Sequence, residues 1–141
     1  MANEISARVA LQERGRFLAQ ASGDQQVVVD YPPPLGDDAG IRGGLELLLM
    51  GLAACAGQTI VPLLRRMRQP VEGCAVEARG LRREEHPTVL TDIELRFTFR
   101  GPGLDPEAVR RAIALGESQY CPVWNMLKGS TRITPEFQIV E

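Results

Sequence analysis

The chain has 141 residues, 44% hydrophobic and 24% charged, enough for one domain with a real core over 1–141 and too short for two. Those fractions sit near globular averages, which excludes a disordered or fibrous chain. A formal net charge of -2, with sixteen basic residues of which only Lys128 is a lysine, gives no electrostatic footprint for nucleic acid.

Met1 to Gly15 carries Glu4, Arg8, Glu13 and Arg14 and no continuous apolar run, so no signal peptide is expected. The expected location is a reducing cytoplasm, where three cysteines do not form a disulfide framework. Each is then either a core filler or a reactive thiol.

The first third reads as a β-meander. Ile5 to Leu11 alternates apolar and polar residues, Arg14-Gly15-Arg16 turns the chain, and Phe17 to Gln20 returns. Gln25 to Tyr31 is a β-branched strand ended by Pro32-Pro33-Pro34, which forbids further ladder pairing. A Gly- and Asp-rich loop, Leu35 to Gly44, leads into an apolar helix from Leu45 to Met67. Apolar residues on nearly every face predict a buried central helix. Glu46, Gln58 and Pro62 argue against a membrane span, and Pro62 predicts a kink or division.

Cys74 to Leu81 and Leu90 to Arg100 read as strands, the latter with Ile93, Leu95, Phe97 and Phe99 on its dry face. Asp105-Pro106-Glu107 starts a helix running to about Ser118: a cap, then Pro at the first helical position, then an acid in the first turn. Tyr120 to Gly129 is a short helical turn, and a last strand follows from about Thr131 to Val140. The order is β-β-β-α-β-β-α-β, an α+β fold.

Among the thiols, Cys55 lies inside the apolar helix, and its local context reads as a small hydrophobe filling a helix contact. Cys121 precedes Pro122, which places it at a helix N-cap. Unpaired N–H groups and the helix dipole there lower a thiol pKa. Trp124 reads as a core anchor that also covers the Cys121 face, and Cys74 as a structural cysteine. His86, the only histidine, sits in an exposed loop and is a poor partner for a Cys-His dyad. No ligand spacing suggests a metal, and Gly40-Ile41-Arg42-Gly43-Gly44 lacks the ending of a phosphate loop.

Gly43 to Cys55 (GGLELLLMGLAAC) resembles the helix that carries the first cysteine in the OsmC/Ohr family, and Tyr120-Cys121-Pro122-Val123 with Met126-Leu127 resembles the family's second cysteine motif. The order of the intervening elements, including Gly103-Leu104-Asp105, agrees, and the resemblance runs from Gln25 onward. It implies an intertwined homodimer with antiparallel sheet wrapped around the central helices, and a thiol-dependent peroxidase that reduces organic hydroperoxides in oxidative stress defence. By that analogy Cys55 is the peroxidatic and Cys121 the resolving thiol, with an external dithiol or lipoyl-type reductant and no cofactor. The family also implies an Arg–Glu pair at the first cysteine. Arg42 is the first choice for the arginine, with Arg14 and Arg16 as alternatives. The peroxidases carry the glutamate ten residues before the cysteine, where this chain has Leu45; Glu46 stands nine before, roughly 180° round the helix from Cys55. That departure resembles the general OsmC-like branch more than a typical organic hydroperoxide resistance protein. The expected substrate pocket is lined by Leu45, Leu49, Trp124 and Met126. A non-catalytic redox sensor or apolar-ligand binder is the alternative, and a hotdog-like thioesterase a weaker one.

Overall fold

The computed structural model describes residues 3–141, in two compact units that divide after Leu48. In the first unit, β1 (Ala7–Glu13), β2 (Arg16–Ala21) and β3 (Gln26–Val29) form an antiparallel meander. The β1–β2 turn uses Arg14 at φ 50, a left-handed residue next to Gly15. Val9, Ala19 and Val27 stand in one cross-strand row and Leu11, Phe17 and Val29 in another, so one face is wholly apolar. The strand pattern after β3 misses one feature: Asp30 is the one buried charged side chain among the described residues, 1% exposed. Its Oδ2 accepts the backbone N–H groups of Asp37 (3.1 Å) and Ala39 (3.2 Å), and so shapes the loop that follows the prolines.

Helix α1 (Gly44–Arg66) crosses the division between the units. Gly43 precedes it at φ +117, a conformation that favours glycine. The helix is not divided at Pro62: it continues to Arg66, and the proline only removes one N–H from the ladder. Nor is it buried on nearly every face of the single chain. Leu52, Ala56, Ile60, Leu63 and Leu64 are buried, at spacings of four, four, three and one, which is one stripe. By length and hydropathy α1 would suffice to cross a membrane, but this stripe makes it a core helix.

The second unit supplies the larger core. Strands β4 (Gly73–Arg82) and β5 (Leu90–Arg100) pair antiparallel, and β6 (Arg132–Val140) joins β5 in parallel. The sheet is therefore not antiparallel throughout. A parallel pair needs a long crossover, and α2 (Pro106–Leu115), a π-turn (Gly116–Tyr120) and α3 (Pro122–Leu127) provide it. Ile93, Leu95, Phe97 and Phe99 all point into the core, as their alternation requires, together with Val109, Ala112, Ile113 and Trp124. Asp105 caps α2 by accepting the Glu107 N–H at 3.0 Å. The helix expected to reach Ser118 stops at Leu115, and its last turn is the π-turn. The α+β class and the order of elements stand as read.

Candidate functional site

Both thiols of interest lie in the second unit. Cys55 projects from α1, partly exposed, while Cys121 is fully buried between the π-turn and α3. The Cys121 thiol is close enough to Cys55 for each to act on the other, so the fold brings together two cysteines 66 positions apart in the chain. Both are reduced.

Burial pushes the Cys121 thiol up to about 11, and the neighbouring Cys55 adds to the rise; the N–H groups of Trp124 and Val123 act against it. Cys121 does stand at the N-cap of α3, but its side chain makes no capping hydrogen bond. The N-cap argument for an activated Cys121 is therefore overturned. Desolvation exceeds the pull of a six-residue helix. Cys121 is a neutral thiol at physiological pH.

The backbone around Cys121 is held by a compact set of hydrogen bonds. Its N–H donates to Gly116 O at 2.9 Å, and its carbonyl accepts the Asn125 N–H at 3.0 Å. The Asn125 side-chain amide donates to that carbonyl at 2.8 Å and reaches Gly116 O at 3.4 Å. Lys128 Nζ donates to Glu117 O at 2.9 Å. Gly116 lies against α1: a Cβ there would sit 3.3 Å from Ile60 Cγ1. Sequence reasoning singled out neither Asn125 nor Gly116, because both act through backbone groups.

The charged candidates all lie in the first unit and are all paired there. Arg42 makes a two-pronged pair with Asp38, Nε to Oδ1 at 2.9 Å and Nη2 to Oδ2 at 2.8 Å, and holds that carboxyl below its ordinary value chiefly through this hydrogen bonding. Glu46 Oε1 accepts the Arg42 backbone N–H at 2.7 Å, a reach-back bond of the capping-box kind from the first turn of α1. Arg14 pairs with Asp37, and Arg16 lies 3.7 Å from Asp30 and 3.6 Å from Asp37.

Trp124 and Met126, expected to line one pocket, do not share a face. Trp124 is buried and Met126 is 79% exposed, since residues two apart on a helix face opposite ways. The second unit instead has an open cleft of about 720 Å³ between α1 and β4, lined by Ala53, Ala54, Gly57, Gln58, Cys74 and Val76 among others. Cys74 thus faces this cleft rather than a core. Burial still raises its thiol pKa, although the residue as a whole is exposed. The first unit holds a cavity of about 300 Å³ bordered by Val9, Phe17, Val29, Asp30, Tyr31 and Leu47. His86 is exposed in the β4–β5 loop.

Residues 37–136 match the family model described as OsmC-like protein. The chain is 34% identical over 136 residues to Protein YhfA of Escherichia coli K12, a match that covers 96% of this chain and 98% of that protein. An OsmC-like protein from Mycoplasma pneumoniae superposes with a TM-score of 0.86 at 22% identity over all of both chains. An organic hydroperoxide resistance protein OsmC from Legionella pneumophila superposes with a TM-score of 0.75 at 14% identity, covering 98% of each chain. The two superpositions speak for the fold alone.

Proposed function

The chain belongs to the OsmC-like family, and we propose that it is a thiol-dependent peroxidase that reduces organic hydroperoxides with Cys55 and Cys121. The observation that carries this reading is the buried, neutral Cys121 thiol lying beside a partly exposed Cys55. A two-cysteine peroxidase needs one thiol that substrate can reach and a second within bonding range that does not compete for it. The name of the Legionella relative points to the same substrate class.

In this reading the Cys55 thiolate attacks the outer oxygen of the hydroperoxide. A sulfur–oxygen bond forms, the oxygen–oxygen bond breaks, and the departing alkoxide takes a proton from solvent to leave as the alcohol. Cys55, oxidised by two electrons, is now a sulfenic acid. The Cys121 sulfur then bonds to the Cys55 sulfur, and hydroxide leaves with the Cys121 proton as water. An external dithiol, of lipoyl type or another, reduces the disulfide and is itself oxidised to one. Cytoplasmic thiol poise suits that last step. Arg42 and Glu46 enter as a positioning pair at the head of α1.

Proteins of this family are generally homodimers, and the proposal includes a homodimer here. The decisive measurement is consumption of an alkyl hydroperoxide in the presence of a dithiol. Wild type should turn over, Cys55→Ser should be inactive, and Cys121→Ser should complete one turnover and leave a sulfenic acid that dimedone traps on Cys55. A wild-type protein that consumes no hydroperoxide would refute the reading.

A further inference from the structure

Closing a disulfide demands more than two nearby sulfurs: the Cα atoms must stand within about 7 Å with the side chains suitably aimed. Cys55 is fixed by the long helix α1, whereas Cys121 sits at a junction of irregular backbone. Its φ and ψ are −88 and 107, extended, between a π-turn and a six-residue helix. Only the closing bond of the π-turn and the opening bond of α3 hold it there, and single π-turns recur where a chain must re-aim a functional group.

The hydrogen bonds described above supply the missing constraint, and one side chain joins them. Gly116 O receives the Cys121 N–H, and Cys121 O receives the Asn125 N–H. The Asn125 amide reaches both carbonyl oxygens, at 3.4 and 2.8 Å. It thereby ties the residue that binds the Cys121 N–H to Cys121 itself. Gly116 in turn packs on Ile60 and Thr59 of α1, and Thr59 is one turn beyond Cys55 on the same helix. The chain of contacts runs from Cys121 through Asn125 and Gly116 back to the helix that carries Cys55.

The chemistry of this position is selective. Two carbonyl oxygens call for a group with two donors, which a primary amide has and a carboxylate lacks. The amide orientation is set by the same neighbours, because its oxygen turned toward two carbonyls would repel them.

We propose that Asn125 is a positioning residue for the resolving step, setting Cys121 for closure onto oxidised Cys55; this rests on the peroxidase reading for its biological purpose, while the closure itself can be measured without peroxide. Asn125 touches no reacting atom. In the resolving step the sulfur–oxygen bond of the Cys55 sulfenic acid breaks and the Cys55–Cys121 bond forms, with water as the leaving group.

The test uses the full chain carrying Cys74→Ser, so that only two thiols remain, and compares Asn125→Leu and Asn125→Asp with the parent. After one equivalent of tert-butyl hydroperoxide, disulfide formation should slow about tenfold in Asn125→Leu, on the scale of losing one or two hydrogen bonds. The sulfenic acid should be trapped by dimedone in proportion. Asn125→Asp should be slow at neutral pH and recover relative to the parent as pH falls through the carboxyl range, because a protonated carboxyl regains a donor. A merely structural role would not give that pH signature. In parallel, diamide-driven closure of the Cys55–Cys121 disulfide is followed by mass spectrometry. If the parent consumes no hydroperoxide yet diamide closure slows about tenfold in Asn125→Leu, the positioning role stands and the peroxidase reading falls. Closure within twofold of the parent in a folded Asn125→Leu or in Asn125→Asp at neutral pH overturns the proposal. So does a parent protein in which diamide forms no such disulfide.

Discussion

At the scale of single residues, the most consequential balance is the one at Cys121. Its folded-state pKa of about 11 lies above the ordinary 9.0. As pH rises past 9, the unfolded chain gives up this proton first, and the folded state is progressively disfavoured. Stability should therefore be whole below about pH 9 and fall as pH climbs toward 11. Cys121→Ala should remove that part of the slope, with a difference on the order of 2 kcal/mol at the alkaline end. Urea unfolding at several pH values checks this, and parallel curves for the two proteins would contradict it. Asp30 presents a second residue-scale case. Its carboxylate is buried and organises two backbone N–H groups of the loop, with Arg16 3.7 Å away. Asp30→Ala should cost about 1–2 kcal/mol, because two part-buried backbone N–H groups lose their acceptor. Glu46→Ala should cost less, about 0.5–1 kcal/mol, since its reach-back bond is exposed. A large fall in the rate of Cys55 oxidation in Glu46→Gln, with stability kept, would show a role beyond helix capping.

At the scale of elements, Pro62 sets two effects against each other. A proline inside a helix loses one hydrogen bond and is about 3 kcal/mol less favourable than alanine, but it also stiffens the unfolded chain by up to about 1 kcal/mol. Pro62 is exposed, so alanine leaves no cavity. Pro62→Ala should then raise stability by about 1–2 kcal/mol, seen as a higher Tm; a lower Tm would mean that a proline-shaped bend is required for packing. The same helix shows why some elements were legible in the sequence and others were not. Strand β5 was read correctly because Ile93, Leu95, Phe97 and Phe99 alternate with polar residues, and α2 because Asp105 and Pro106 are strong start signals. The parallel placement of β6 leaves no mark in its own composition; it follows from the crossover. Nor does the sequence announce the π-turn, since Gly116 to Tyr120 reads as ordinary helix. Of the site, the two cysteines were legible through their family motifs. The protonation of Cys121 was not, because its complete burial is a product of the folded packing, while the N-cap signal is local. Asn125 was invisible for the same reason: its value lies in two backbone carbonyls.

At the scale of the whole molecule, the two units bury their apolar residues very unequally. The fully buried hydrophobic side chains all belong to Leu49–Glu141. In the first unit Val9, Leu11, Phe17 and Val27 stay 55, 60, 37 and 41% exposed, and the strand register puts all four on one face. A three-stranded meander with such a face bare is a poor end state in water, because contiguous apolar surface of this kind marks an interaction site. The family's homodimeric habit supplies the partner in our reading: a second copy covers this face. Light scattering behind size exclusion should then give twice the chain mass. Thermal stability should rise with protein concentration, as mass action requires when unfolding releases two chains. Placing a charge at the middle of the face, as Leu11→Glu with Val27→Glu, should bury two unpaired carboxylates in the interface and shift the protein to half the mass. It should also remove the concentration dependence of Tm. A wild-type protein that runs at single-chain mass with a concentration-independent Tm would leave the face bare in solution, and the dimer would have to be abandoned.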